Sequence, residues 1–431
     1  MQNLIHHPLP RRNFLRTGML GGLSLSLPEL LRAEAESGAA EKKNAIFIFL
    51  DGGQSQMDSW DPKPDGGDAA GEFKPIATNL AGLQVCEHMP HLAKVADTYA
   101  VVRSVKDAIA VHGIGMKLVR TGNRPQASLV YPDVGSVICR ERVSPKGIPP
   151  FVSLPVVRTN STTESPGYLG VAYGAFTISG DPNAEDFSVR ALKPPTGMPE
   201  QRFNRRLSLV KQIDLGFRDL DLANKELDGM DRFYQQAFDI LSSSQARQAF
   251  DLDREKDAMR DRYGRTNLGQ ACLLARRLVE AGVRCVTIDF GGWDTHQKNF
   301  SDMKDKLLPP WDQALAALLT DLKDRGLLDS TVVWSTGEMG RTPKINDKAG
   351  RDHWGKAMSM MLAGGGIRGG QVIGATDKEG GNVTEDPCTP GDIAATVLQA
   401  MGIDPSREYR TPSGRPIRII GDGKPMRQLF G

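Results

Sequence analysis

Six side chains that bind or move cations and protons recur at the ends of apolar runs. Asp51 opens DGGQSQMD directly after NAIFIFL, and Asp294 and His296 stand in GGWDTH after RCVTIDF. Glu338 stands in TGEMGRTP after STVVWS, and Asp352 and His353 follow in GRDHWG. Taken singly, an Asp after a strand is ordinarily a turn or cap residue, and a single His is ordinarily structural. Together they form a set. Carboxylate oxygens plus imidazole nitrogens suit a divalent cation, Zn²⁺ or Mn²⁺ foremost, with Ca²⁺ or Mg²⁺ as alternatives. Of seven histidines, His6 and His7 lie in the leader, and five remain: His88, His91, His112, His296 and His353.

The elements that must hold these groups are legible from hydrophobic periodicity. Apolar runs at 44–50, 99–105, 151–157, 284–290, 330–335 and 357–362 read as buried strands. Amphipathic helices are expected at 267–281, at 304–323 with an interruption at Pro309-Pro310, and at 389–401 behind the capping sequence Thr-Pro-Gly-Asp. A charged helical insertion spans about 202–265, with a break at Gly229. Buried strands alternating with helices define an α/β fold with a mostly parallel central sheet covered on both faces. Ligands in such sheets bind outside the carboxyl ends of the strands, where the six residues lie.

The first 35 residues are expected to be a twin-arginine export signal. Arg11-Arg12 precedes the apolar stretch from Thr17 to Pro28, and Ala33-Glu34-Ala35 has the form of a cleavage site. Residues 36–43 form a tether, and 44–431 form a single domain. The expected location is periplasmic or otherwise exported. No later run is long enough to span a bilayer. Lys and Arg total 54 against 52 Asp and Glu, which leaves no electrostatic footprint for nucleic acid. Five scattered cysteines without a CxxC motif do not make a disulfide framework. Oligomeric state is not readable from the chain.

Other residues invite weaker readings. Ser55, four positions after Asp51, is a candidate nucleophile. Arg103, Arg341 and Arg351, with Asp352 beside them, are candidate grips for an anionic substrate, because guanidinium forks match phosphate and sulfate oxygens. His88 and His91 read as flanking a helix start, and the glycines of 364–370 as turns.

The ordered phrases DGGQSQMD, HGIGMKLVRTGNRP, GWDTH, GEMGRTPKIN and GRDHWG resemble an exported family that carries only a domain-of-unknown-function label. That family is similar to the alkaline phosphatase and sulfatase superfamily. The resemblance implies an alkaline phosphatase-like core with one or two metals. It implies metal ligation by Asp51, by Asp294 with His296, by Glu338 in place of the usual Asp, and by His353. Two departures stand out. Met339 occupies the position of an expected His, and a thioether is a poor ligand for a hard dication. Aligning Thr121-Gly122 on the sulfatase phrase puts His112 where the nucleophile would stand. His112 is then a relocated metal ligand, a nucleophile or general acid/base, or a structural residue.

These features imply an exported, metal-dependent hydrolase of phosphate or sulfate esters, acting on a small-molecule or glycan ester by metal-activated water. The alternative is a non-catalytic binding protein for a sulfated or phosphorylated glycan or a cell-envelope partner. The missing nucleophile favours the second; the retained ligands favour the first.

Overall fold

Asn44–Asp51 (β1) is apolar at every position but its ends, and every residue of it is buried. Alternation divides its side chains between two cores. In the computed structural model, which describes residues 42–157, 164–189, 199, 202, 205 and 238–431, Ile46, Ile48 and Leu50 face one core and Ala45, Phe47 and Phe49 the other. The expected export signal, the tether up to residue 41 and the middle of the helical insertion, including Gly229, lie outside the described residues. At its described end the insertion is helical, over Ser244–Phe250 and Asp257–Tyr263.

Seven further strands join β1. They are Tyr99–Val105 (β2), Phe151–Val157 (β3), Phe176–Thr177 (β4), Cys285–Gly291 (β5), Thr331–Thr336 (β6), Met358–Ala363 (β7) and Gln371–Ile373 (β8). Their order across the sheet is β8-β2-β7-β6-β1-β5-β3-β4. β1 pairs parallel with both β5 and β6, while β7 runs antiparallel to both of its neighbours. The mixed α/β fold with a mostly parallel sheet is thus as the periodicity implies.

Helices cover both faces. Asn267–Glu280 and Leu308–Asp324 supply the core beneath Ile46, Ile48 and Leu50. His112–Thr121 (α1), Val134–Glu141 (α2) and Pro390–Ala400 supply the other. The Pro309-Pro310 pair marks an interruption in pitch: the run is α-helical over Asn299–Asp302, a π turn over Met303–Leu307 and α-helical again over Leu308–Asp324. The two prolines follow the π turn directly and lack the N–H groups that would bond back into it. The helix at Pro390 starts with a complete capping box between Thr389 and Asp392. No helix of the described residues is long and apolar enough to cross a membrane.

One feature that affects the site was not evident. The phrases GEMGRTPKIN and GRDHWG, which carry no apolar run, contribute two further strands. Gly340–Ile345 and Arg351–Trp354 pair as an antiparallel ribbon, with His353 opposite Arg341. α1 was also not evident, since HGIGMKLVRT carries two glycines and little apolar regularity at its start.

Asp133, at the start of α2, is buried beside Arg120, Glu164 and Asp289. Burial pushes its carboxyl up to about 7 against the pull of Arg120. The fold therefore favours the neutral form, while the unfolded chain ionises near pH 4. This group's contribution to stability falls as pH rises from about 4 to about 7 and is level above that. Asp133→Asn should remove that part of the slope and raise stability at pH 8 by a few kcal/mol, on the order of the shift itself. Urea denaturation across pH 4–8 measures it, and an unchanged slope would mean that Asp133 is ionised in the fold.

Candidate metal centre

β1 ends in Asp51, and the chain turns through Gly52 and Gly53 with φ of +117° and +83°. The turn presses on the segment after β5. A Cβ on Gly52 would fall 2.3 Å from the Asp294 backbone nitrogen, so only glycine permits the approach. The Trp293 N–H donates to the Asp51 carbonyl at 3.2 Å, and the Trp293 ring is sealed against Phe290 and Trp311. Asp294 is thereby held beside the mouth of the central strand.

Three imidazoles surround the Asp294 carboxylate. His353 Nε2 lies 3.0 Å from Oδ1, His296 Nε2 3.1 Å from Oδ1, and His112 Nε2 3.2 Å from Oδ2. The contact to His112 is close but not aligned as a hydrogen bond, and that nitrogen is buried without a partner. His296 Nε2 and His353 Nε2 face each other at 3.0 Å. Ligand atoms of His112, Asp294 and His353 all lie within 4.8 Å of one another, the one such group among the described residues. His296 flanks them and is the most exposed of the rings, at 42%.

Each ring is anchored through its other nitrogen. His112 Nδ1 meets Glu338 Oε1 at 2.6 Å, His296 Nδ1 meets Asp352 Oδ1 at 2.6 Å, and His353 Nδ1 meets the Ala110 carbonyl at 3.2 Å. An ionised carboxylate or a carbonyl only accepts, so each Nδ1 faces an acceptor that favours a proton there, and each Nε2 points inward; with no cation between them, the His353 Nε2 bonds the Asp294 carboxylate as a donor. Metal-binding histidines are held in this way. Three inward nitrogens, a nitrogen–nitrogen contact and a central carboxylate fit a cation better than they fit one another.

The titration of the groups follows. The hydrogen bond to Glu338 raises the His112 pKa despite partial burial. Burial acts upward on Asp294, but the bonds from His353 and Arg341 outweigh it and hold its carboxyl well below the usual range. The His296 bond likewise lowers Asp352.

The structure draws together His112, Asp294, His296 and His353, with Glu338 and Asp352 immediately behind them. Glu338 is fully buried and receives the Gly52 N–H at 3.1 Å on each oxygen. Asp51 is buried in the floor of the site, and its carboxylate is not among the grouped ligand atoms.

The expected substrate grips and the serine require correction. Arg341 is fully buried, and its guanidinium bonds Gly53 O, Gly52 O, Trp293 O, Arg351 O and Asp294 Oδ1. Arg351 is equally buried. It pairs with Asp58 at 2.7 Å and bonds the carbonyls of Ala69, Thr342 and Pro343. Arg103 braces Trp60 O, Gln84 O and Asp61. Their donors are spent on the scaffold, so none has a fork turned to substrate. Asp352 holds His296 and accepts from Asn346 at 3.3 Å. Ser55 donates to Asp58 at 2.6 Å within the same buried network and is 1% exposed. His88 lies against the Phe73 ring, and Asp312 accepts from the backbone N–H of His91, so neither residue joins the cluster.

Sequence reasoning missed Asp58, which joins Ser55, Asn299 and Arg351, and Asn346, whose amide also bonds the His296 carbonyl at 2.9 Å. Both stand in the quoted phrases, and only the pairing of the phrases in space gives them partners.

The molecule is thus a mostly parallel α/β protein with a histidine–carboxylate cluster at the carboxyl edge of its central strands. The chain belongs to the family described as protein of unknown function DUF1501, whose profile matches residues 42–430. No curated protein matches it. Solved structures similar to it include the phosphonate monoester hydrolase SpPMH of Silicibacter pomeroyi, at 12% identity and a TM-score of 0.40, covering 90% of this chain and 76% of that one. The PsFucS1 sulfatase of Pseudoalteromonas sp. is similar at 12% identity and a TM-score of 0.33, covering 92% and 72%. A protein in the alkaline phosphatase superfamily from Vibrio parahaemolyticus is similar at 10% identity and a TM-score of 0.37, covering 84% and 66%.

If Ser55 is a strut and not a nucleophile, Ser55→Ala should lower stability by about 1–3 kcal/mol through the exposed need of Asp58. Metal content and any turnover per folded molecule should stay at wild-type level. Loss of turnover with unchanged stability would restore Ser55 as a reacting group.

Proposed function

We propose that this protein is an exported, divalent-metal-dependent hydrolase of phosphate or sulfate esters. The observation that carries the reading is the convergence of three Nε2 atoms on the Asp294 carboxylate. The order of the motifs, which resembles that of the alkaline phosphatase and sulfatase superfamily, supports the ester class. The twin-arginine pattern at residues 11–35 supports export to the periplasm, with 44–431 as the working domain.

His112, His353 and Asp294 would hold the ion, with His296 as a further ligand at the open side. An imidazole-rich set of this kind suits Zn²⁺ above Ca²⁺ or Mg²⁺, with Mn²⁺ as the next fit. Such an ion supplies Lewis acidity toward an ester oxygen and lowers the pKa of water. The protein's own groups do the rest. Asp294 is kept ionised by Arg341 and the imidazoles. Asp352 fixes the His296 ring at the solvent side, where an ester enters. α1 begins at His112 and the first N–H bonded within it is that of Gly115, so the free N–H groups of its first turn and its positive end lie at the site. That end favours the negative charge of the ester and of its transition state. With Ser55 committed to Asp58, water is the nucleophile.

Purified mature protein should retain about one equivalent of zinc or manganese per chain or take it up after chelation. It should then hydrolyse an aryl phosphate or aryl sulfate. Asp294→Asn and His353→Ala should each lower turnover at least ~10²-fold, the scale of losing a principal electrostatic group. Metal uptake with saturable binding of sulfated or phosphorylated glycans, and no turnover on a broad ester panel, would replace the enzyme with a binding protein.

A further inference from the structure

Glu338 stands where the resemblance implies a metal ligand, yet its surroundings assign it different work. Both oxygens receive the Gly52 N–H at 3.1 Å, and Oε1 also receives His112 Nδ1 at 2.6 Å. The side chain is wholly buried. Neither oxygen is among the clustered ligand atoms of His112, Asp294 and His353. We propose that Glu338 is a positioning residue that locks His112 in the Nδ1–H tautomer and aims Nε2 at the cation without touching the cation itself. This rests on the metal reading above.

Three features make the lock stiff. The carboxylate is tied to backbone at Gly52, whose conformation and closeness to Asp294 admit no side chain. The loop carrying Glu338 is pinned by the Gly337 N–H on Gln54 Oε1 at 2.8 Å, and Gln54 in turn donates to the Ser359 carbonyl at 2.9 Å. The first turn of α1 packs directly on Glu338, since a Cβ on Gly115 would lie 3.5 Å from the Glu338 Cβ. The imidazole thus projects from a helix start whose distance from the acceptor is fixed. His296 with Asp352, and His353 with the Ala110 carbonyl, repeat the arrangement with less buried or weaker acceptors. A buried charge–imidazole bond is the strongest of the three, because little water competes for it.

Glutamate length is part of the device. Glu338→Asp withdraws the acceptor by one methylene and should break either the Gly52 or the His112 bond. Glu338→Gln keeps the shape but removes the charge that makes His112 Nδ1 an obligatory donor.

The experiment combines zinc titration with nitrogen NMR of the histidine rings, assigned through His112→Ala. In metal-free wild type at alkaline pH, His112 should be protonated at Nδ1 alone. In Glu338→Gln that tautomer should give way to a mixture. Zinc affinity should fall ~10–100-fold in Glu338→Gln, the scale of removing a partner that orients a ligand. The Co²⁺ absorption spectrum should keep its wild-type shape at saturation, since no ligand is lost. His112→Ala should alter that spectrum, and the double variant Glu338→Gln/His112→Ala should bind zinc no more weakly than His112→Ala alone. A double variant weaker than His112→Ala would mean that Glu338 holds the ion directly. Unchanged zinc affinity in Glu338→Gln would mean that it positions nothing. If the wild type binds neither zinc nor cobalt, the metal reading fails. The ring tautomer then decides the lock by itself, and an Nε2–H His112 in the wild type would overturn it.

Discussion

The Arg341 guanidinium, fully sealed from solvent, ties together the segments after β1 and β5 and the ribbon that carries His353. It bonds the carbonyls of Gly52 and Gly53 after β1, the Trp293 carbonyl after β5, the Arg351 carbonyl on the facing strand of the ribbon, and the Asp294 carboxylate. Burying a cation is costly unless its donors are met, and here five acceptors meet them. Without that knot the two glycine turns would expose carbonyls in a dry interior, Asp294 would lose its fixed aim, and the ribbon carrying His353 would lose its register against Arg341. A second buried knot, Arg351 with Asp58, closes the back of the same ribbon. The imidazoles are placed by these scaffold charges, so residues that looked like substrate grips in the sequence are the frame on which the site hangs.

How much of this was visible beforehand depends on the range of the interaction involved. β1, β2, β3 and the helix over Asn267–Glu280 were legible within a residue or so, because burial on both faces writes itself into a local apolar run. The direction of β7 was not, since MSMMLA is apolar whichever way the strand runs. The ribbon was not, since its pairing joins two polar phrases and its bond partners lie on distant strands. Asp294, His296 and His353 were legible by residue type and placement after strands, and His112 only through the resemblance carried by HGIGMKLVRTGNRP. The distinction between an inner group and its supports was not. Glu338 and Asp352 have the same residue chemistry as a ligand, and only the distances to Nδ1 atoms separate them. The arginines show the same limit. Whether a guanidinium faces solvent or five carbonyl and carboxylate oxygens is a property of the folded chain.

The surroundings of Met339 and His112 link these observations. Met339 is fully buried, and its backbone carbonyl would lie 2.6 Å from a Cβ on Gly53. The position after Glu338 is therefore occupied by packing against the turn after β1, which leaves an apolar thioether where a polar ring would need a partner. The His112 imidazole enters from α1, and Glu338 bonds it at 2.6 Å. Three carboxylates, Asp294, Glu338 and Asp352, and one guanidinium, Arg341, surround the rings, with Asp51 buried beneath them. A dication would offset those carboxylates, and in its absence the bond to Glu338 raises the His112 pKa. The cluster thus couples charge balance to geometry. Its carboxylates sit behind the rings, where they set the direction of the nitrogens, and the single carboxylate in front, Asp294, is the one that Arg341 keeps ionised.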